Sequence, residues 1–168
     1  DVLSQIMAEI AVHLDGTLDL HDMMALVLKG MHEGIGLNRV VFALMTADRG
    51  ALKAKYVVGA EPNSPLRQFQ IDMTTRHLFS RLMEKMQGIW LSASNRNTLE
   101  PMIPFGIRQL LGHGEFFAMS VFLHGKPIGL FYADRKHDGG ALDEQRYLEF
   151  KQLCLRAAEG LAHLLKKK

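Results

Sequence analysis

Cysteine is almost absent from this sequence: of 168 residues, only Cys154 carries a thiol. A disulfide within the chain is therefore impossible, and no Cys/His spacing typical of a zinc site occurs. Such a composition is usual for proteins of a reducing compartment, and it predicts a cytoplasmic location.

Long apolar runs are also lacking, because no stretch approaches the roughly 18 residues of a membrane-spanning helix. The sequence opens without a secretory signal. The formal charge is only +2, which gives no electrostatic reason to expect a nucleic-acid partner. The composition thus predicts neither a membrane partner nor a nucleic-acid partner.

What remains is the composition of an ordinary globular domain, with 48% hydrophobic and 23% charged residues. A chain of this length fits one domain and can bury roughly 70% of the surface that its unfolded form exposes. It begins at Asp1, not at Met, and enters a helical pattern almost at once. We therefore expect a single domain, residues 1–168, excised from a longer protein; the alternative is that an initiator and a tag are simply missing.

The most informative segment consists of two apolar runs, Phe116–Leu123 and Ile128–Ala133, on either side of the tetrad His124–Pro127. Gly125 opens the central pair of this tetrad, as a type II′ hairpin turn requires. Both runs are apolar on both of their faces. This pattern predicts a hairpin in the middle of a sheet that is covered from two sides.

Helices and further strands follow from the spacing of apolar residues. The terminal helices carry long apolar stripes and must share one face of the sheet. The segment 60–114, with the irregular stretch Ser92–Gly114, must then cover the other face as a lid. Further strands are predicted at Arg39–Thr46, Leu52–Val58 and Gly88–Leu91. The predicted helices are Val2–Leu14, ended by Asp15-Gly16-Thr17; Leu20–Glu33, with Asp19 as N-cap; Thr75–Met86, capped by Thr74 or Thr75; and Leu142–Leu165, capped by Asp143.

The ordered set of these elements resembles a GAF domain over nearly the whole chain. The resemblance implies an α+β fold: a central antiparallel sheet of about six strands, the terminal helices on one face and an irregular helix and loop lid on the other. It also implies a sensory or regulatory module, often dimeric through its terminal helices. The residues that carry the resemblance are Leu18-Asp19-Leu20, Gly36–Phe42, Gly125–Arg135 and Leu142-Asp143-Glu144.

Two further stretches, Arg39–Arg49 and Phe150–Cys154, look like the GAF domains that accompany HDOD modules in bacterial signalling proteins. The resemblance then implies a covalently attached output domain. We predict a non-enzymatic regulatory module of a bacterial signal transduction protein, which binds a small ligand or dimerises to control that domain. The alternative is a ligand-free dimerisation scaffold.

A lid over an apolar sheet face commonly encloses a small-molecule cavity. Aromatic and methionine side chains would form its walls, and polar side chains of the lid would orient the ligand. An arginine turned inward, Arg96 or Arg108, would favour an anion. The alternative is that the aromatic residues simply fill the core. The candidate pocket residues are Phe42, Phe79, Trp90, Ser92, Asn95, Arg96, Arg108, Phe116 and Met119.

Cyclic-nucleotide-binding GAF domains carry Asn followed by Lys or Arg after the last strand, then a Phe, and Asp-Glu at the start of the last helix. Here Arg135 and the pair Asp143-Glu144 match this pattern. Asp134 replaces the Asn, however, and Gly139 stands where the Phe would be. The half-kept pattern favours a structural role, in which an ion pair between Arg135 and Asp143 pins the loop between them.

Two other roles found among GAF domains need residues that are scarce here. Reduction of free methionine sulfoxide requires a thiolate and a second thiol, and Cys154 is alone on the apolar stripe of the last helix. The same placement disfavours a cysteine-linked bilin. The eight histidines show no metal-ligand spacing, and His77 is the best candidate for a lone haem ligand. We predict no catalytic residue, no metal and no cofactor, with a small ligand of unknown identity.

Three leucines of the last helix, Leu153, Leu155 and Leu165, lie off its main apolar stripe. The widened apolar face predicts a homodimer that packs through the terminal helices. The alternative is a broad contact between the first and last helices of one chain.

Overall fold

A computed structural model describes residues 1–12, 19–136 and 141–166. Within these ranges six strands form one antiparallel sheet in the spatial order β3-β2-β1-β6-β5-β4. The fold is α+β, as predicted. The strands are β1 Arg39–Met45, β2 Ala51–Val58, β3 Gln70–Asp72, β4 Gly88–Leu91, β5 Phe116–Leu123 and β6 Lys126–Asp134.

Helices cover both faces of this sheet. No helix in the described ranges is both long enough and apolar enough to cross a membrane. The segment between β2 and β5, which the sequence predicted as a lid, holds short helices and two short strands. The α-helices are α1 Val2–Val12, α2 Leu20–Lys29, α3 Leu78–Leu82, α4 Arg96–Leu99, α5 Phe105–Leu111 and α6 Glu144–Lys166; a π-helical turn spans Gly30–Ile35, and 3₁₀ turns span Pro65–Gln68 and Glu100–Met102.

The hairpin of β5 and β6 lies inside the sheet, between β1 and β4, as its two apolar faces predicted. Its turn differs from the prediction. Leu123 pairs with Lys126, so the central residues are His124 and Gly125. Both have positive φ, 51° and 80°, which is the requirement of a type I′ turn and not of type II′.

The helix face of the sheet is covered by α1, α2 and α6, which confirms that the terminal helices share one side. The ring centroid of Phe150 in α6 lies 5.3 Å from that of Phe117 in β5. Leu153 is fully buried and would lie 3.1 Å from a Cβ on Gly30, so it does not widen an outer apolar face as predicted. Leu155 remains 45% exposed.

The lid face buries a second apolar layer under the 3₁₀ turn at Pro65–Gln68, α3 and α5. Because side chains alternate along a strand, neighbouring residues of β1 and β5 enter opposite layers. The lid layer contains Val41, Ala43, Phe69, Phe79, Leu82, Leu111, Phe116, Ala118, Leu130 and Tyr132.

Side-chain hydrogen bonds to backbone amides fix the N-terminal ends of helices α2 and α3. Asp19 caps α2 as predicted, since its side chain accepts a hydrogen bond from the Asp22 amide. Helix α3 is capped by His77 and not by Thr74 or Thr75: the His77 Nδ1 atom accepts from the amides of residues 79 and 80. The predicted break at Asp15-Gly16-Thr17 lies outside the described residues.

Candidate functional site

Three buried polar side chains meet where the central strands end. Arg39 opens β1 and pairs in register with Asp134, the last residue of β6. The Arg39 Nη2 atom lies 2.6 Å from Asp134 Oδ2, and its Nε atom lies 3.0 Å from Oδ1, so the ion pair is bidentate. Tyr132 donates its hydroxyl hydrogen to Asp134, and Arg39 Nη2 donates to the Leu111 carbonyl at 3.2 Å. The network ties two central strands to helix α5.

Burial and the interaction with Asp134 together set the charges in this network. Burial alone lowers the pKa of Arg39, but the hydrogen bond to Asp134 and the attraction of its carboxylate outweigh that effect and raise it. Burial, reinforced by the charge of Asp134, raises the pKa of Tyr132 well above its ordinary value. Arg39 is therefore a cation and Tyr132 a neutral donor at physiological pH.

Two clefts open beside this network, and Lys136 lines both of them. The Arg96 cleft has a volume of about 400 Å³. The Ser64 cleft has a volume of about 360 Å³ and reaches down to Arg39. The Arg96 cleft is lined by Ala93, Arg96, His113, Gly114, Glu115, Arg135, Lys136 and Ala141. The Ser64 cleft is lined by Arg39, Ala60, Glu61, Ser64, Pro65, Leu66, Gln109, Leu110 and Lys136.

Basic side chains dominate the Arg96 cleft, but their charges are unequally available. Arg96 is engaged by Glu100 at 2.5 Å, and this hydrogen bond is the main reason why the pKa of Glu100 is lowered. Lys136 is exposed, and its ammonium group forms no ion pair with any described residue. Its Nζ atom would lie 3.2 Å from a Cβ on Gly112, so glycine leaves room for the ammonium group there. Lys136 is thus an available cation that could bind an anionic ligand.

The candidate pocket residues are distributed over both faces of the sheet. Phe42 and Met119 are buried in the helix-face layer. Phe79 and Phe116 lie in the lid layer, where their rings are stacked with centroids 6.3 Å apart. The nine candidates therefore do not share one cavity, and their role in ligand binding stays a prediction.

The lid layer is filled by aromatic rings at the place where the sequence predicted a ligand. The Phe116 ring centroid lies 5.1 Å from that of Tyr132, which in turn lies 6.0 Å from that of Phe69. Together with Phe79, these side chains are at most 3% exposed. The alternative stated from the sequence, that the aromatics fill the core, describes this part of the lid.

Trp90, Ser92 and Asn95 come together along the edge strand β4, where they line an open groove. Asn95 fixes the backbone after β4, because its Oδ1 atom accepts a hydrogen bond from the Ser92 amide and its Nδ2 atom donates one to the Trp90 carbonyl. The Trp90 indole nitrogen donates to Glu115 Oε1 at 3.0 Å. Arg108 stands apart, with its guanidinium 5.6 Å from the exposed Phe105 ring.

Asp143 caps α6, as predicted, by accepting a hydrogen bond from the Arg146 amide at 2.8 Å. Its carboxylate also pairs with the Arg146 guanidinium at 2.5 Å. The pKa of Asp143 is lowered, mainly by the amide bond, with a smaller contribution from the charge of Arg135. Arg135 reaches the Ala141 carbonyl at 3.5 Å. Its predicted ion pair with Asp143 stays a prediction, and Gly139 lies outside the described residues.

Cys154 is completely buried in the helix-face layer, and burial raises the pKa of its thiol well above the ordinary value. A nucleophilic cysteine needs the opposite: access and a stabilised thiolate. In the described ranges, no three His, Cys, Asp or Glu side chains are grouped as a metal site would need. His77, the haem candidate, uses both ring nitrogens within the chain, since Nε2 lies 2.6 Å from the Asp72 carbonyl.

Sequence reasoning did not select Arg39, Tyr132, Asp134 or Lys136 as site residues. A signal was present, because Arg39 opens an otherwise apolar strand and Asp134 closes another. A charge at the end of an apolar strand is either solvated or paired, and the sequence does not say which. The partners are 95 residues apart, so only the sheet register brings them together.

Comparison with known proteins gives no match in sequence: neither a protein-family model nor a curated protein matches the chain. Solved structures match it closely in shape. The phycoerythrobilin-bound GAF domain of a cyanobacterial phytochrome superposes with a TM-score of 0.76 at 12% identity, covering 98% of this chain and 97% of that chain.

Two further structures extend the comparison. A GAF domain/HD domain protein from Geobacter sulfurreducens gives a TM-score of 0.72 at 16% identity, over 91% of this chain and 98% of that one. The free methionine-R-sulfoxide reductase from Neisseria meningitidis, solved with its substrate, gives a TM-score of 0.68 at 17% identity, over 99% of this chain and 90% of that one. At such identities the likeness concerns the fold and not the activity. The chain has the fold of a GAF domain.

Proposed function

We propose that this domain is a non-enzymatic sensory module of a bacterial signal transduction protein, and that it binds a small anion in the Arg96 cleft. The GAF fold, shared with domains of several bacterial signalling proteins, supports the sensory role. The observation that carries the ligand proposal is Lys136, an exposed cation two residues after Asp134 of the buried network.

The position of Lys136 in the chain would allow a bound ligand to affect an attached domain. It lies between the end of β6 and the start of α6, and α6 is one of the terminal helices that would connect to a neighbouring domain. A ligand that binds Lys136 more tightly in one arrangement of α6 shifts the population toward that arrangement. We propose that the chain is part of a longer protein whose output domain responds to this shift.

Small anions are expected to raise the melting temperature of the domain. At a concentration of 100 times the dissociation constant, a ligand stabilises by about 2.7 kcal/mol, which corresponds to roughly 5 to 10 °C for a chain of this size. We would measure this by differential scanning fluorimetry with inorganic phosphate, cyclic GMP, GMP and succinate as probes.

The control compares two exposed lysines. Lys136→Met is expected to abolish most of the ligand-induced shift, whereas Lys126→Met, at the other end of β6, should leave it unchanged. A wild-type domain that none of the four anions stabilises would contradict the proposal. Equal loss of the shift in both variants would contradict the proposed role of Lys136.

We further propose a homodimer through the terminal helices. Leu148 and Leu155 of α6 are each 45% exposed and lie seven residues apart, on one helix face. Val12 of α1 is 71% exposed. Exposed apolar side chains grouped on helices are typical of interfaces between chains.

Leu155→Glu is expected to shift a dimer to monomer, because an interface that buries Leu155 would have to desolvate the new carboxylate. Sedimentation velocity at a fixed protein concentration measures the change. The matched control is Phe105→Glu, which places the same charge on an exposed apolar position of α5, outside the terminal helices. A wild-type monomer at high micromolar concentration would refute the dimer.

A ligand-free dimerisation scaffold is the second candidate, and the filled lid layer around Phe116 and Tyr132 favours it. The two experiments separate the candidates: a dimer that no anion stabilises supports the scaffold. A reductase like the Neisseria meningitidis protein is disfavoured, because the buried Cys154 thiol offers neither access nor a thiolate.

A further inference from the structure

A groove on the helix face, which shares no lining residue with the Arg96 cleft, has the walls of a small-molecule site. It lies between α2 and strand β2 and has a volume of about 460 Å³, which is within the usual range for such sites. We call it the Tyr56 groove. Ala25, Leu28 and Val58 supply aliphatic surface to it.

Two rings provide flat surface beside these aliphatic groups. The centroids of the His21 and Tyr56 rings lie 5.6 Å apart, with an interplanar angle of 48°. Aromatic rings favour an aromatic partner in an offset or edge-to-face arrangement. These walls therefore suit a flat, largely apolar molecule.

His32 has one ring nitrogen bonded within the chain and the other left for a ligand. Its Nδ1 atom lies 2.9 Å from the carbonyl oxygen of Leu37. A carbonyl oxygen only accepts, so Nδ1 must carry the hydrogen. In the neutral imidazole the other nitrogen, Nε2, is then an acceptor. Because His32 lines the groove, we infer that its Nε2 atom can accept a hydrogen bond from a ligand that carries an N–H or O–H group.

The charges at the rim of the groove are balanced. The Lys29 Nζ atom lies 4.0 Å from Glu33 Oε2, so the cation and the anion largely cancel. This balance gives no preference for an anionic or a cationic ligand. An uncharged molecule fits the groove best.

The local backbone is also unusual. His32 and Glu33 belong to the π-helical turn Gly30–Ile35, whereas the rest of the helix is α-helical. Segments of π-helix are rare and are frequently found at functional sites. This observation is independent of the shape of the groove and of its side-chain chemistry.

We propose that the Tyr56 groove binds a flat, uncharged heteroaromatic molecule of the indole type, whose ring N–H donates a hydrogen bond to His32 Nε2. The aliphatic and aromatic walls supply the contact area, and His32 orients the ring. This site is separate from the Arg96 cleft, so it does not depend on the anion proposal.

The test titrates the ¹⁵N-labelled domain with indole and with 1-methylindole and follows amide shifts by NMR. Indole is expected to shift amides of α2, the π-helical turn and β2. The methylated analogue, which lacks the donor, should bind about three- to ten-fold more weakly, the usual effect of one hydrogen bond. Equal affinities would overturn the proposed role of His32, and shifts confined to other elements would overturn the site.

Two substitutions complete the test. Ala25→Trp fills the groove from an exposed helix position and should abolish indole binding. Ala8→Trp makes the same change at an exposed position of α1 and should leave binding unchanged. His32→Phe keeps a ring but removes Nε2, so indole and 1-methylindole should then bind equally. Indole binding retained in Ala25→Trp would overturn the proposal. Lys136→Met should bind indole like the wild type, which separates this result from that of the anion screen.

Discussion

Asp134→Ala is expected to lower the free energy of unfolding by about 3 to 5 kcal/mol, the usual effect of removing one partner of a buried ion pair. Asp134 is only 2% exposed and Arg39 only 5%. The substitution leaves the Arg39 guanidinium buried without its counter-charge, and it also removes the acceptor of the Tyr132 hydroxyl. Urea unfolding followed by circular dichroism measures the loss.

Two variants make this result interpretable. Combining Arg39→Met and Asp134→Leu with Tyr132→Phe removes both charges and the hydroxyl that depends on them, and should recover most of the stability, since apolar replacement of a buried pair is often neutral. Glu159→Ala breaks the exposed pair with Arg156 and should cost less than about 1 kcal/mol. If Asp134→Ala lowers the free energy of unfolding no more than Glu159→Ala does, the buried network does not stabilise the junction of β1, β6 and α5.

Gly59→Ala is expected to cost at least about 4 kcal/mol, among the largest effects of a single substitution. Gly59 has φ +84°, and a Cβ placed on it would lie 1.6 Å from the carbonyl oxygen of Asn38. That oxygen belongs to backbone and cannot rotate away. The chain before Arg39 would have to move, which would also disturb the ion pair with Asp134.

The control for this variant separates conformation from collision. Gly125 has nearly the same φ, +80°, and a Cβ there meets no atom within 4 Å. Gly125→Ala should therefore cost only the left-handed conformation, about 1 to 2 kcal/mol. Thermal and urea unfolding of both variants gives the comparison. Similar losses in the two variants would show that the Asn38 contact is unimportant.

The sequence predicted the sheet well because burial leaves a local record. A strand covered on both faces must be apolar at consecutive positions, and Phe116–Leu123 shows this directly. The third strand, Gln70–Asp72, was not predicted: three residues with exposed, polar ends carry no periodic signal. The type I′ turn was missed because it places His124, and not only Gly125, at positive φ.

The candidate pocket was less predictable, partly for an avoidable reason. Phe116 and Met119 are three residues apart on one strand, so alternation alone places them on opposite faces. The sequence does not indicate which of the two faces the lid covers. Both faces of β1 and β5 are apolar, and the choice between them depends on where the helices pack.

The sequence by itself indicated the order of the longer elements, the interior position of the β5–β6 hairpin and the caps at Asp19 and Asp143, because each leaves a pattern in a few consecutive residues. Only the tertiary structure decided that Arg39 meets Asp134, that Lys136 stands between two clefts, and that α2 leaves a groove over Tyr56. These arrangements depend on strand register and helix placement, which join residues far apart in the chain and leave no local pattern.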